Sequence, residues 1–147
     1  MHQVLVYSDS LSWGIIPMTR HRLPFDERWP GVMEQALNQS GQSVRVIEDC
    51  LNGRRTVFED PFKPGRNGLT GLAQRIEINS PLALVNAIRQ APIEPGMPVP
   101  PVMIVAPPPI GTVTQASAVD GIHLDADQHR TLGKALAANL AKLPVLS

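Results

Sequence analysis

Cysteine is nearly absent from this chain. Cys50 stands alone, which excludes an internal disulfide and a cysteine-built metal cluster. Net charge is absent too. The 147 residues carry 13 basic and 13 acidic side chains, so there is no basic face for nucleic acid and no polybasic anchor for a membrane surface. No apolar run approaches the ~20 residues that span a bilayer. Met1-His2-Gln3 leads straight into a strand-like run, so no secretory leader is expected. The four histidines do not cluster at ligand spacing, so neither a metal site nor a cofactor is expected. These absences predict a soluble, cytoplasmic chain.

What is present describes one globular domain. The chain is long enough to bury its own core, and 43% of its residues are hydrophobic against 18% charged. Proline is in excess. Fifteen occur, roughly twice the ~5% average, and they crowd the stretch from Pro92 to Pro109. They are irregularly spaced beside a strand candidate, which suits loop stiffening better than a recognition ligand.

Gln3-Val4-Leu5-Val6-Tyr7 reads as a buried strand that runs into the turn formers Ser8-Asp9-Ser10. Residues 17–28 read as loop. A helix is expected near Trp29, with Pro30 in its first turn and Gly41 as its stop. Val44–Glu48 is a second strand and 49–67 an irregular stretch, followed by a modest helix over Leu69–Ile76. Leu82–Val85 and Val102–Val105 are further strand candidates. A last helix is capped by Asp125 with Gln128 three residues on, and its Leu132, Leu136, Leu140 and Leu143 share one face. Strands alternating with helices predict a parallel α/β sheet with helices on both faces. In such sheets ligands bind beyond the carboxyl ends of the strands. That rule points to Ser8–Ser10, to Asn52-Gly53 and to the loop before the last helix.

Each of these places has a plain reading and a chemical one. Ser10 can cap a turn, or it can be a nucleophile if a base takes its proton. Asp120 and His123 can form an ordinary surface turn. Alternatively, the carboxylate can orient the imidazole toward Ser10. Asn52-Gly53 can be a simple turn, or its glycine can bring a backbone N–H close to an oxyanion. Trp13 either shapes a pocket or fills the core. Of Arg54 and Arg55, one is expected to pair with Asp49 or Asp60. Asp9 is expected to hold the serine turn through backbone amides. His2, His21 and His129 are expected at the surface, and Cys50 as a small buried apolar residue.

The order of motifs resembles the SGNH (or GDSL) hydrolase family, most closely its bacterial arylesterase and acyltransferase branch. The residues that carry it are Asp9-Ser10-Leu11-Ser12-Trp13-Gly14, then Arg28-Trp29 with Gly31. Val46–Asp49 leads to Leu51-Asn52-Gly53-Arg54, and Glu59-Asp60-Pro61 follows. Ala106-Pro107-Pro108-Pro109 and Val119-Asp120-Gly121-Ile122-His123 complete it. The resemblance implies a three-layer, flavodoxin-like α/β/α sandwich over residues 1–147. It implies a serine esterase for small esters, working through an acyl-enzyme with an acyltransferase side activity. Ser10 is then the nucleophile, His123 the base and Asp120 its partner. The N–H groups of Ser10 and Gly53 line the oxyanion hole, and Trp13 and Asn52 line the pocket. A homo-oligomer that narrows the active-site mouth is implied by analogy.

Two departures stand out. Ser8 occupies a position where the family motif has glycine, which strains the turn only if its φ is positive. The family's Gly-x-Asn-Asp block, whose asparagine gives a third oxyanion donor, is missing between Val85 and Asn86. A further loop, helix and strand are missing at Ile110-Gly111. The chain therefore reads as two segments short of a full family member. The alternative reading is a non-catalytic relative that binds an ester or glycan.

Overall fold

The computed structural model describes residues 1–72 and 116–143. The expected strands Leu82–Val85 and Val102–Val105, the proline-rich stretch and both junctions lie outside the described residues, as does the end of the Leu69–Ile76 helix. The chain divides into two compact units, residues 1–52 with 105–147, and residues 53–104.

In the first unit, β1 (His2–Ser8) is followed by a four-residue helix α1 (Ser10–Trp13), a 3-10 turn at Phe25–Glu27, α2 (Trp29–Gln39), β2 (Val44–Cys50) and α3 (Ala126–Leu140). β1 and β2 pair in parallel, with Val4 opposite Val46 and Val6 opposite Glu48. A parallel pair needs a long crossover, and α2 lies within it. The strands are rich in Val, Leu and Ile, residues that suit a pleated, half-buried surface. Alternation sends Val6, Val44 and Val46 into one core with Trp29, Met33 and Leu37 of α2 and Leu132, Ala137 and Leu140 of α3.

Sequence and local structure agree closely at the helix ends. Pro30 sits in the first turn of α2, and Gly41 after its end takes φ +90°. α3 carries a complete capping box. The Asp125 carboxylate accepts from the Gln128 N–H at 3.0 Å, and the Gln128 side chain accepts from the Asp125 N–H at 2.8 Å. Gly133 brings α3 onto α2 so closely that a Cβ there would lie 2.7 Å from Trp29 O.

Two expectations are corrected. The turn after β1 is shorter than the sequence suggests, because Ser8 belongs to the strand and Ser10 already opens α1. His129 is not at the surface. It is 1% exposed, and its Nδ1 accepts from the Trp29 N–H at 3.2 Å. α2 has no side-chain cap from its own flank, so the imidazole of α3 supplies one. The physical cause is periodicity: His129 lies three residues before Leu132 on the same buried stripe. Cys50 is half-buried against the core.

The described part of the second unit, residues 53–72, is an irregular loop pinned to itself. Arg55 and Asn67 form an isolated bridge, and residues 68–72 are helical. Arg55 pairs with Asp60 at 3.0 Å, as one of the two arginines was expected to do. Asp60 also accepts from the N–H groups of Phe62 and Lys63, and Glu59 from that of Arg66. These bonds favour the charged carboxylates and hold both below their ordinary pKa.

Candidate active site

Ser10 is the first residue of α1, immediately beyond the carboxyl end of β1. Asp9 is the N-cap. Its carboxylate accepts from the Leu11 N–H at 3.0 Å, and its carbonyl accepts from the Trp13 N–H at 3.0 Å. Asp9 thus holds the serine turn through backbone amides, as expected. Among the described residues, the Ser10 N–H has no hydrogen-bond partner, which is the usual condition of a donor at a helix start. α1 ends on Gly14 in the left-handed region, φ +77°. A Cβ there would meet the Arg28 side chain at 2.6 Å, so both the φ and the space require glycine.

A charged cluster braces this turn from behind. The buried Arg28 guanidinium grips the Glu48 carboxylate of β2 with two bonds, Nε to Oε1 at 3.1 Å and Nη2 to Oε2 at 2.6 Å. Its Nη1 donates to Leu23 O at 2.7 Å. Arg22 donates to the same carboxylate at 3.2 Å and to Trp13 O at 2.6 Å. The Arg22 guanidinium also lies 4.9 Å from the Trp13 ring centroid, a cation–π contact. Trp13 is half-buried, with its main chain and ring both held by Arg22. The sequence flagged Arg28-Trp29 only as a motif. A carboxylate twenty residues away gives no local signal.

Asp120 and His123 come together in the loop before α3. Asp120 Oδ2 lies 2.8 Å from His123 Nδ1. A carboxylate only accepts, so Nδ1 carries the proton, and in the neutral ring Nε2 keeps its lone pair. Asp120 Oδ1 accepts from the N–H groups of Ile122 and His123, both at 2.9 Å. The His123 side-chain bond, backed by these amides, pulls the Asp120 pKa down to about 2. Ser117, 2% exposed, anchors the loop: its N–H donates to His123 O at 2.7 Å and its carbonyl accepts from the Gly121 N–H at 2.8 Å. The result is an ionised carboxylate, an imidazole of fixed tautomer and a ring nitrogen able to take a proton.

Among the described residues, no hydrogen bond joins His123 to Ser10. Bonds of that kind are often long before substrate arrives. Gly53 belongs to the second unit and takes φ +75°. Asn52, the last residue of the first stretch, is half-buried, and its side-chain oxygen is buried without a hydrogen-bond partner among the described residues. Among the described residues there is no group of three or more His, Cys, Asp or Glu placed to hold a metal ion. No helix among them is long and apolar enough to cross a membrane.

No family model matches the chain. An arylesterase from Vibrio mimicus is 32% identical over 79 residues. That stretch covers 54% of this chain and 32% of the relative, so the match spans about a third of the relative's length. Among solved structures, the aryl esterase of M. smegmatis superposes with a TM-score of 0.77 at 24% identity, over 97% of this chain and 100% of that one. A carbohydrate acetylesterase from Sinorhizobium meliloti superposes with a TM-score of 0.70 at 25% identity, over 96% and 99%.

The chain has the SGNH-hydrolase fold. The likeness that the motifs carry and the α/β class are both borne out. In this SGNH fold β1 and β2 are parallel neighbours, and Ser10 stands beyond the carboxyl end of β1, where the strand-end rule places ligand chemistry. Ser8, the departure from the family motif, carries no strain. Met18 is the one non-glycine with positive φ among the described residues.

Proposed function

We propose that the chain is a serine ester hydrolase acting on small aryl or acetyl esters. The observation that carries this reading is the Asp120–His123 pair at 2.8 Å, with the second carboxylate oxygen tied by two amides. An ordinary surface turn does not need an imidazole held in one tautomer. The named activities of the similar proteins, arylesterase and carbohydrate acetylesterase, support the same class of substrate.

In this reading Ser10 Oγ attacks the ester carbonyl while His123 Nε2 takes its proton. Negative charge gathers on the former carbonyl oxygen. The Ser10 N–H, without a partner among the described residues at the start of α1, stabilises it there. The motif order adds the Gly53 N–H as a second donor. His123 then returns the proton to the departing alcohol, leaving an acyl group on Ser10. Water or a second alcohol, deprotonated by His123, then attacks the acyl carbonyl. The bond to Ser10 Oγ breaks, Oγ takes the proton back from His123, and the acyl group leaves as acid or as a new ester. Asp120 orients the ring and offsets the imidazolium charge. Trp13 and Asn52 are assigned to the pocket.

Hydrolysis of p-nitrophenyl acetate by wild type and Ser10→Ala tests the reading. Loss of turnover in Ser10→Ala is expected. Equal rates would remove Ser10 from the chemistry, and an inert wild type would favour the non-catalytic relative. The missing asparagine block weighs on the magnitude, since one oxyanion donor is worth ~10²–10³ in rate.

A further inference from the structure

Two hydroxyls bracket the proposed nucleophile. Ser12 Oγ donates to Ser8 Oγ at 2.6 Å, two residues on either side of Ser10. Ser12 is 4% exposed, so its hydroxyl has little access to water and depends on a protein partner. Ser8 is the last residue of β1, paired with Cys50 of β2, and its carbonyl accepts from the Leu51 N–H at 3.0 Å. The strand end is therefore fixed. The far end of α1 is fixed as well, because Arg22 holds Trp13 O and Arg28 packs on Gly14. The hydroxyl pair ties these two anchored ends across the turn that carries Ser10.

We propose that Ser8 is a positioning residue: its hydroxyl holds Ser12, and through it the first turn of α1, so that Ser10 keeps its place for attack. The proposal rests on the esterase reading above. Glycine, the residue of the related motif, cannot make this contact. With glycine or alanine at position 8 the Ser12 hydroxyl loses its acceptor. The carbonyl four residues back, Ser8 O, already accepts from the Leu51 N–H. A serine that bonds back to that carbonyl tends to bend its helix. Catalysis is sensitive to this, because ~1 Å of misplacement can cost ~10²-fold in rate.

The test is steady-state hydrolysis of p-nitrophenyl acetate by wild type, Ser8→Ala, Ser8→Gly and Ser8→Thr, with Ser10→Ala beside them and a thermal melt on each. Ser8→Ala and Ser8→Gly are expected to lower kcat about tenfold with KM within about twofold. Ser8→Thr keeps the hydroxyl and is expected to restore most of kcat, whatever its melting temperature. If kcat is the same in all four while only the melting temperature moves, the pair is structural and the proposal is overturned. A Ser8→Thr as slow as Ser8→Ala also overturns it. Turnover that survives in Ser10→Ala sinks the esterase reading itself, an outcome the Ser8 series cannot produce.

Discussion

The two halves of the proposed chemistry are built in opposite ways. The Ser117–His123 loop makes its own geometry, from Asp120 bonds to residues two and three positions on and a Ser117 anchor at its base. The Ser8–Gly14 turn borrows its geometry from afar. Glu48 of β2 holds Arg28 and Arg22, and these hold Gly14 and Trp13. A local device can be altered without endangering the fold. A device made of buried, paired charges cannot, because each partner's desolvation is offset only by the others.

The largest expected effect sharpens this contrast. Asp120→Asn keeps an oxygen for the two amides but no longer fixes the imidazole tautomer. It is expected to lower kcat ~10³–10⁴-fold while the denaturation midpoint stays nearly where it was. A large fall in the midpoint would mean that the loop is no local device.

Glu48→Gln is the opposite case. It leaves the Arg28 guanidinium, 8% exposed, without its counter-charge. Equilibrium denaturation is expected to show a loss of about 3–5 kcal/mol. A loss below ~1 kcal/mol would break the comparison.

His129 gives a third contrast, this one in pH. Burial, then the Arg28 charge beside it, lowers its pKa from 6.5 to about 4, while Asp125 acts weakly the other way. The folded state therefore binds this proton less readily than the unfolded chain does. Stability is full above pH 6.5 and falls as the pH drops toward about 4, by ~3 kcal/mol in all. Protonation of Nδ1 would also remove the acceptor for the Trp29 N–H. His129→Asn is expected to flatten that part of the stability–pH curve relative to wild type. An unchanged slope would contradict the assignment.

The smallest effect is at the start of α3. Asp125→Ala removes the capping box and is expected to cost about 1 kcal/mol, read by chemical denaturation. Because α3 begins three residues after His123, activity measured at low temperature should move far less than in Asp120→Asn.

What could be read from the sequence follows the same division. The α3 cap, the leucine stripe, Pro30 at the start of α2 and the Asp120–His123 pair depend on residues three or four apart, so the pattern on the page is the pattern in space. The parallel strands were readable because Val, Leu and Ile cluster there. Burial of His129 was present in the periodicity, three residues before Leu132, but its polarity argued for the surface. The Arg22–Glu48–Arg28 cluster had no local trace, because the topology of β1, α2 and β2 is what brings those residues together. The hydroxyl bond between Ser8 and Ser12 was hidden by reading Ser8 only as a replaced glycine.

The central claim is that Ser10 is a nucleophile activated by His123. Treatment with a fluorophosphonate, followed by peptide mass spectrometry, tests it most directly. The account predicts one adduct, on Ser10, formed at least ~10²-fold more slowly in His123→Ala. An adduct on another residue, or labelling of Ser10 at an unchanged rate without His123, would contradict it.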